Sequence, residues 1–217
     1  MNKKIQDEEL IKIYLEEKKS SLEFFPIKEV VETTEIVWKA YMNDNTIYAC
    51  GNGGNAAYVA NMLTDLSMHP FVSDDKHNPL PIDVKRLKAI NLVESPATLT
   101  AILNDIGSSV IFSQQLINHG VRRGDVLFGF SGSGNSENIL NAFQTAQKYD
   151  AITIGITRGD GGKMKDISNI IIKVSGKSNF PGQIGGNNFN FHYEDALSMI
   201  AHMLTGIIKK RVEDEYL

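Results

Sequence analysis

One alternation limits what this chain can fold into, and it begins at Thr46. Short apolar runs at residues 46–50, 88–92, 126–130, 152–157 and 170–174 are separated, for the most part, by segments with apolar residues at helical spacing. Those segments are 56–68, 97–105, 110–119 and 137–149, and a long helix over about 192–211 closes the chain. Continuous apolar strands between helices predict a parallel sheet covered on both faces, an α/β protein. In such a sheet the strand-to-helix turns open at one edge, where ligands of open α/β folds collect.

Two of those turns carry chemistry. Ser131-Gly132-Ser133-Gly134-Asn135-Ser136 places three hydroxyls and two glycines between a strand and a helix. Backbone N–H groups and the positive end of a helix dipole converge there, glycines admit close approach, and serines add neutral donors. The loop suits a phosphate. No Gly-Lys-Ser/Thr follows, so a nucleotide P-loop is excluded. The other turn is Gly51-Asn52-Gly53-Gly54-Asn55, leading into a helix near Ala56. Gly51, Gly53 and Ala56 also fit the dinucleotide fingerprint, but that motif needs an acidic residue ending a second strand about 20 residues on. The next strand here starts only at Lys88, which makes dinucleotide binding the weaker reading.

With 217 residues the chain can bury one sizeable core. Its net charge of −4 and the lack of a basic stripe point away from nucleic acid. No apolar run approaches the ~20 residues that cross a bilayer, and the first residues turn acidic before any apolar core, unlike a signal peptide. Cys50 is the one cysteine, in keeping with a reducing cytoplasm, and its place at a strand end makes it an inert hydrophobe. Residues 1–45 read as a helical extension broken at Phe24-Phe25-Pro26, ahead of an α/β domain over 46–217. Residues 27–42, with Trp38 and Tyr41 on an apolar face, are expected between subunits of a homo-oligomer; folding back on the chain's own sheet is the other reading. Residues 68–86 and 176–190 have no clear period and read as loops near the site.

Taken together with Thr157-Arg158-Gly159-Asp160-Gly161-Gly162-Lys163-Met164, the two glycine-rich turns closely resemble the sugar isomerase (SIS) domain, and within it the phosphoheptose isomerases. The resemblance spans about residues 30–210. It implies a flavodoxin-like three-layer α/β sandwich with a five-stranded parallel sheet, a homodimer or homotetramer, and a phosphosugar site shared between subunits. It also implies site residues. Ser131, Gly132, Ser133, Asn135 and Ser136 match the phosphate loop, and Asn52, Gly53, Gly54 and Asn55 match the first loop, with Asn55 where the family has serine. Asn104 and Asp105 match a pair near the sugar, and Asp160 a polar residue of the fourth loop.

The family's isomerases carry His and Glu at i, i+4 after the first loop, and Gln or Glu with His at i, i+8 on the last helix. The corresponding residues are Asn61 and Asp65, then Glu194 and His202. Aldose–ketose isomerisation passes through an enediol or enediolate, so one group takes a carbon-bound proton and another serves the oxygens. Asp65 or Glu194 is the expected base, with His202 as acid partner, and the three are expected to converge at one cleft. No cofactor is expected. Zinc, which some members bind, would find only Asp65, Glu194 and His202 as weak candidates and is disfavoured. His69 and His77 are read as solvent-exposed and without a spaced carboxylate, and His192 as a group behind the site. The alternative is a non-catalytic SIS protein that senses a phosphosugar or docks a protein partner, as the family's initiator-associating member does.

Overall fold

A computed structural model describes residues 3–73, 75, 77, 84–183 and 189–216. Part of the two expected loops, at 74, 76, 78–83 and 184–188, lies outside those residues. Two N-terminal helices, α1 (Lys3–Leu22) and α2 (Ile27–Met42), precede β1 (Thr46–Gly51) and α3 (Gly54–Met68). Then come β2 (Lys88–Asn91), α4 (Pro96–Asp105), α5 (Ile111–Asn118), β3 (Val126–Phe130) and α6 (Glu137–Lys148). The chain ends with β4 (Ile152–Arg158), α7 (Met164–Ile167), β5 (Ile170–Val174) and α8 (Asn190–Tyr216).

The strands pair in parallel in the order β2-β1-β3-β4-β5, the flavodoxin-like order. In register, Tyr48 lies opposite Leu127, Phe128 opposite Ile154, and Ile156 opposite Ile172. Alternate residues feed two cores. Ile47, Ala49, Phe128 and Phe130 pack with residues of α2, α3 and α8, among them Val37, Leu66, Ile200 and Leu204. Tyr48, Cys50 and Leu127 pack on the other face with Leu116, Ile139 and Phe143 of α5 and α6. Gly129 lets α6 approach, because a Cβ there would lie 2.3 Å from Phe143 Cε1.

Two expectations change. Trp38 and Tyr41 do not form an outward patch. Tyr41 is buried, stacks near Trp38 and Phe71, and donates its hydroxyl to the Lys85 carbonyl, while the Arg211 guanidinium lies over Trp38. The large apolar residues of α2 that stay exposed are Ile27, Val31 and, at its end, Met42, at 69%, 51% and 42%. Helical periodicity finds an apolar face, and here only one edge of that face is left to a partner. The last helix also runs past Arg211, where charge suggests an end, because i, i+4 pairs such as Lys209–Glu213 support the extra turn.

The chain leaves β1 for one side of the sheet and returns across it to β3. The turns after these neighbouring strands therefore flank the crevice where the strand order reverses, a position that binds ligands in open α/β sheets.

Candidate phosphosugar site

The serine loop is held from behind. Gly134 has φ of 64°, and its carbonyl accepts from the Met164 amide at 2.9 Å. A Cβ on Gly134 would sit 2.0 Å from the Gly161 carbonyl oxygen, so only glycine allows this seam between the turns after β3 and β4. Asn135 closes it: its Oδ1 accepts from the Lys163 amide at 3.0 Å and its Nδ2 donates to the Ser133 carbonyl at 3.0 Å. Ser136 stands at the N-cap of α6 but makes no side-chain cap bond; its hydroxyl meets that of buried Ser131 at 3.0 Å. The amides at the start of α6 are thus left without a side-chain cap, an arrangement suited to an anion.

The first loop is tied to the second. Asn52 and Asn138 of α6 exchange amide hydrogen bonds in both directions, each 2.9 Å. Gly53 has φ of 56°. Asn55 Oδ1 is buried and finds no hydrogen-bond partner among the described residues.

Glu194 fills the space between these loops. Its Oε1 would lie 3.4 Å from a Cβ on Gly54, and it accepts from Asn190 Nδ2 at 2.6 Å. Asn190 in turn borders the serine loop, its Oδ1 3.7 Å from where a Cβ on Gly132 would stand. Arg158 Nε and Tyr193 Cε1 border the same position at 3.2 and 3.5 Å. Tyr58 of α3 faces this charge: burial first, then the carboxylates of Glu194 and Asp195, push its hydroxyl pKa up.

Asp65 and His202 meet each other, with Nε2 and Oδ2 3.7 Å apart. Eight residues of α8 separate His202 from Glu194, about 12 Å along the axis. Asn61 also donates to Asp65, at 3.2 Å. His69 is exposed as expected but does have a spaced carboxylate: its Nε2 lies 3.9 Å from Asp65 Oδ1, four residues earlier on the helix. His77 is exposed. His192 is fully buried and bonded to Glu17 of α1 at 3.0 Å, so its partner lies in the N-terminal extension. Asn104 bonds to Asp105 at 2.7 Å at the exposed end of α4. Asp160 is exposed, and its Oδ1 accepts from the Gly162 amide of its own turn at 3.2 Å. Burial pushes the Cys50 thiol pKa well up, which leaves it inert.

The donors at the zinc positions do not fit a metal. Asn61 turns its amide N–H onto Asp65, and Glu194 is two helical turns from His202. Among the described residues no three His, Cys, Asp or Glu side chains form a metal-holding group.

Sequence reasoning missed Arg158, Asn190, Tyr193 and Asn138. Asn190 had a usable signal, an amide four residues before a carboxylate on the same helix. Arg158 is a cation at the end of a strand, and no local spacing in the sequence marks it.

Residues 14–158 match the SIS domain family. A phosphoheptose isomerase of Clostridium acetobutylicum is 33% identical over 189 residues, covering 87% of this chain and 85% of its own length. One from Rhodospirillum rubrum is 34% identical over 67% of this chain and 71% of its own. The solved phosphoheptose isomerase of Neisseria gonorrhoeae superposes with a TM-score of 0.76 at 26% identity, covering 94% of this chain and 99% of that one. This chain belongs to the SIS domain family, on its phosphoheptose isomerase-like branch.

Proposed function

We propose that this chain interconverts the aldose and ketose forms of a sugar phosphate, with a phosphoheptose as substrate. One observation carries the reading: the Glu194 carboxylate stands between Gly54 of the first loop and Asn190, which borders the serine loop. A heptose 7-phosphate seated by its phosphate on Ser131, Ser133, Ser136 and the α6 amides runs past that carboxylate, with its reacting carbons, C1 and C2, at the far end of the chain toward the Asp65–His202 pair. Asn52, Gly53, Asn55, Asn104, Asp105 and Asp160 line the sugar's path in this reading. Relatives named phosphoheptose isomerase support the substrate class.

The chemistry divides between two groups. Glu194 or Asp65 removes the proton from the carbon beside the carbonyl, and the resulting enediolate is reprotonated on the neighbouring carbon. His202, paired with Asp65, exchanges the oxygen protons. Carboxylate and imidazole suffice for these transfers, and no metal is needed. The protein works in the cytoplasm as a homo-oligomer, assembled through the N-terminal extension, residues 1–45.

Glu194→Gln and His202→Ala are each expected to lower kcat with sedoheptulose 7-phosphate about 10²-fold or more, as loss of a general acid or base does. Their affinity for inorganic phosphate should stay close to that of the unmodified protein. Variants that turn over at the original rate would remove these residues from the chemistry.

A further inference from the structure

The serine loop is neutral. Its donors are hydroxyls and amides, and the α6 N-terminus adds only about half a positive charge. A phosphate monoester at pH 7 carries about 1.5 to 2 negative charges. The charge balance calls for a cation, and candidates are few. Lys163 and Lys165 follow in the next turn but are exposed, and Lys165 pairs with Asp160 at 4.0 Å. Water screens such charges strongly.

Arg158 differs. It is the last residue of β4, only 9% exposed, and its backbone amide donates to the Gly132 carbonyl at 3.2 Å. Its side chain returns to the same glycine, with Nε 3.2 Å from the position a Cβ would take. The space that a side chain at residue 132 would fill is thus bordered by the guanidinium group, and from α8 it is faced by Tyr193 and by Asn190, which holds the Glu194 carboxylate. A desolvated charge acts over several ångströms far more strongly than an exposed one.

We propose that Arg158 supplies the positive charge of the phosphate site, acting from behind Gly132 and selecting the dianion over the monoanion. This rests on the serine loop being the phosphate seat. Arg158 has no part in the proton transfers, so it sets binding and leaves turnover of bound substrate largely alone.

The test is calorimetric titration of inorganic phosphate into the full chain between about pH 5.5 and 8.5, a range that spans its second ionisation, which lies about a unit above that of a phosphate monoester. The unmodified protein should bind more tightly as pH rises. Arg158→Met should weaken binding about tenfold to a hundredfold at the upper pH and flatten that rise, and Arg158→Lys should keep the rise. With sedoheptulose 7-phosphate, Arg158→Met should raise KM far more than it lowers kcat. A folded Arg158→Met variant that binds within about twofold of the original, with the same pH dependence, would overturn the proposal. Ser131→Ala/Ser133→Ala separates the two claims. If this double variant binds phosphate undiminished, the loop assignment falls and takes the proposal with it. If it loses binding while Arg158→Met does not, only the role of Arg158 falls. Should Arg158→Met fail to fold, the ¹⁵N–¹H signal of Arg158 Nε in the unmodified protein, assigned by its loss in Arg158→Lys, decides. A phosphate-induced shift supports the proposal, and an unmoved signal overturns it.

Discussion

Glu17 is the residue through which α1 grips the beginning of α8. It accepts from Ser178 Oγ at 2.5 Å and from the Asn179 amide at 2.6 Å, and lies 3.0 Å from the buried His192 ring. Tyr14 stacks on that ring with centroids 4.2 Å apart and donates to Asp195 at 2.7 Å, and Lys18 lies 3.7 Å from Asp195. Burial acts to raise the Glu17 pKa, but hydrogen bonds from Ser178, Asn179 and His192 outweigh it and hold the carboxyl below its ordinary range. The sign follows from linkage. A depressed carboxyl pKa adds stability above the unfolded value of about 4.3, and that stability is lost as pH falls through the folded value. Glu17→Gln should therefore lower the urea midpoint at neutral pH, with the gap to the unmodified protein shrinking below about pH 4. A gap that widens in acid would contradict this. The consequence reaches the site, because His192 and Asp195 flank Tyr193 and Glu194 on one turn of α8.

At the scale of elements, α6 against β3 is the packing that sets the serine loop. Gly129 leaves room for Phe143 and Ile139, and a methyl there would lie 2.3 Å from one and 2.9 Å from the other. Gly129→Ala should cost about 1–3 kcal/mol by overpacking, read as a lower denaturant midpoint with unchanged slope. Stability equal to the original would mean that α6 can shift without penalty. The strands are legible because they are short and mostly apolar, and the central three, β1, β3 and β4, are buried on both faces; the apolar runs 126–130 and 170–174 have the bounds of β3 and β5. The glycine-rich turns were legible as well, since strand-to-helix turns of a parallel sheet all open at one edge. What joins those turns was not. The Asn52–Asn138 pair, the Asn135 seam and Arg158 link residues far apart in sequence, and no period or local motif encodes such contacts. His192 was hidden for a similar reason, its partner Glu17 lying 175 residues away.

For the whole molecule, an apolar groove runs between α2 and α8, lined by Leu22, Phe25, Ile27, Val31, Met203 and Ile207. Phe24 beside it is 71% exposed. Contiguous exposed apolar surface of this kind marks an association site. A homo-oligomer should form through it, so light scattering at micromolar concentration should give a multiple of the single-chain mass. Ile27→Asp/Val31→Asp should shift the protein toward monomers. A single-chain mass for the unmodified protein would remove the oligomer from the account. No helix of the described residues is long and apolar enough to cross a membrane.

Enolisation of a sugar phosphate on this fold is read out by deuterium exchange. The protein is incubated in D₂O with sedoheptulose 7-phosphate, and the recovered sugar phosphate is examined by NMR for label at C1 and C2. Deuterium is expected at those carbons, appearing far more slowly with Glu194→Gln. If sedoheptulose 7-phosphate binds to the serine loop and yet no carbon-bound hydrogen exchanges, the isomerase reading is contradicted, and a phosphosugar sensor is the better description.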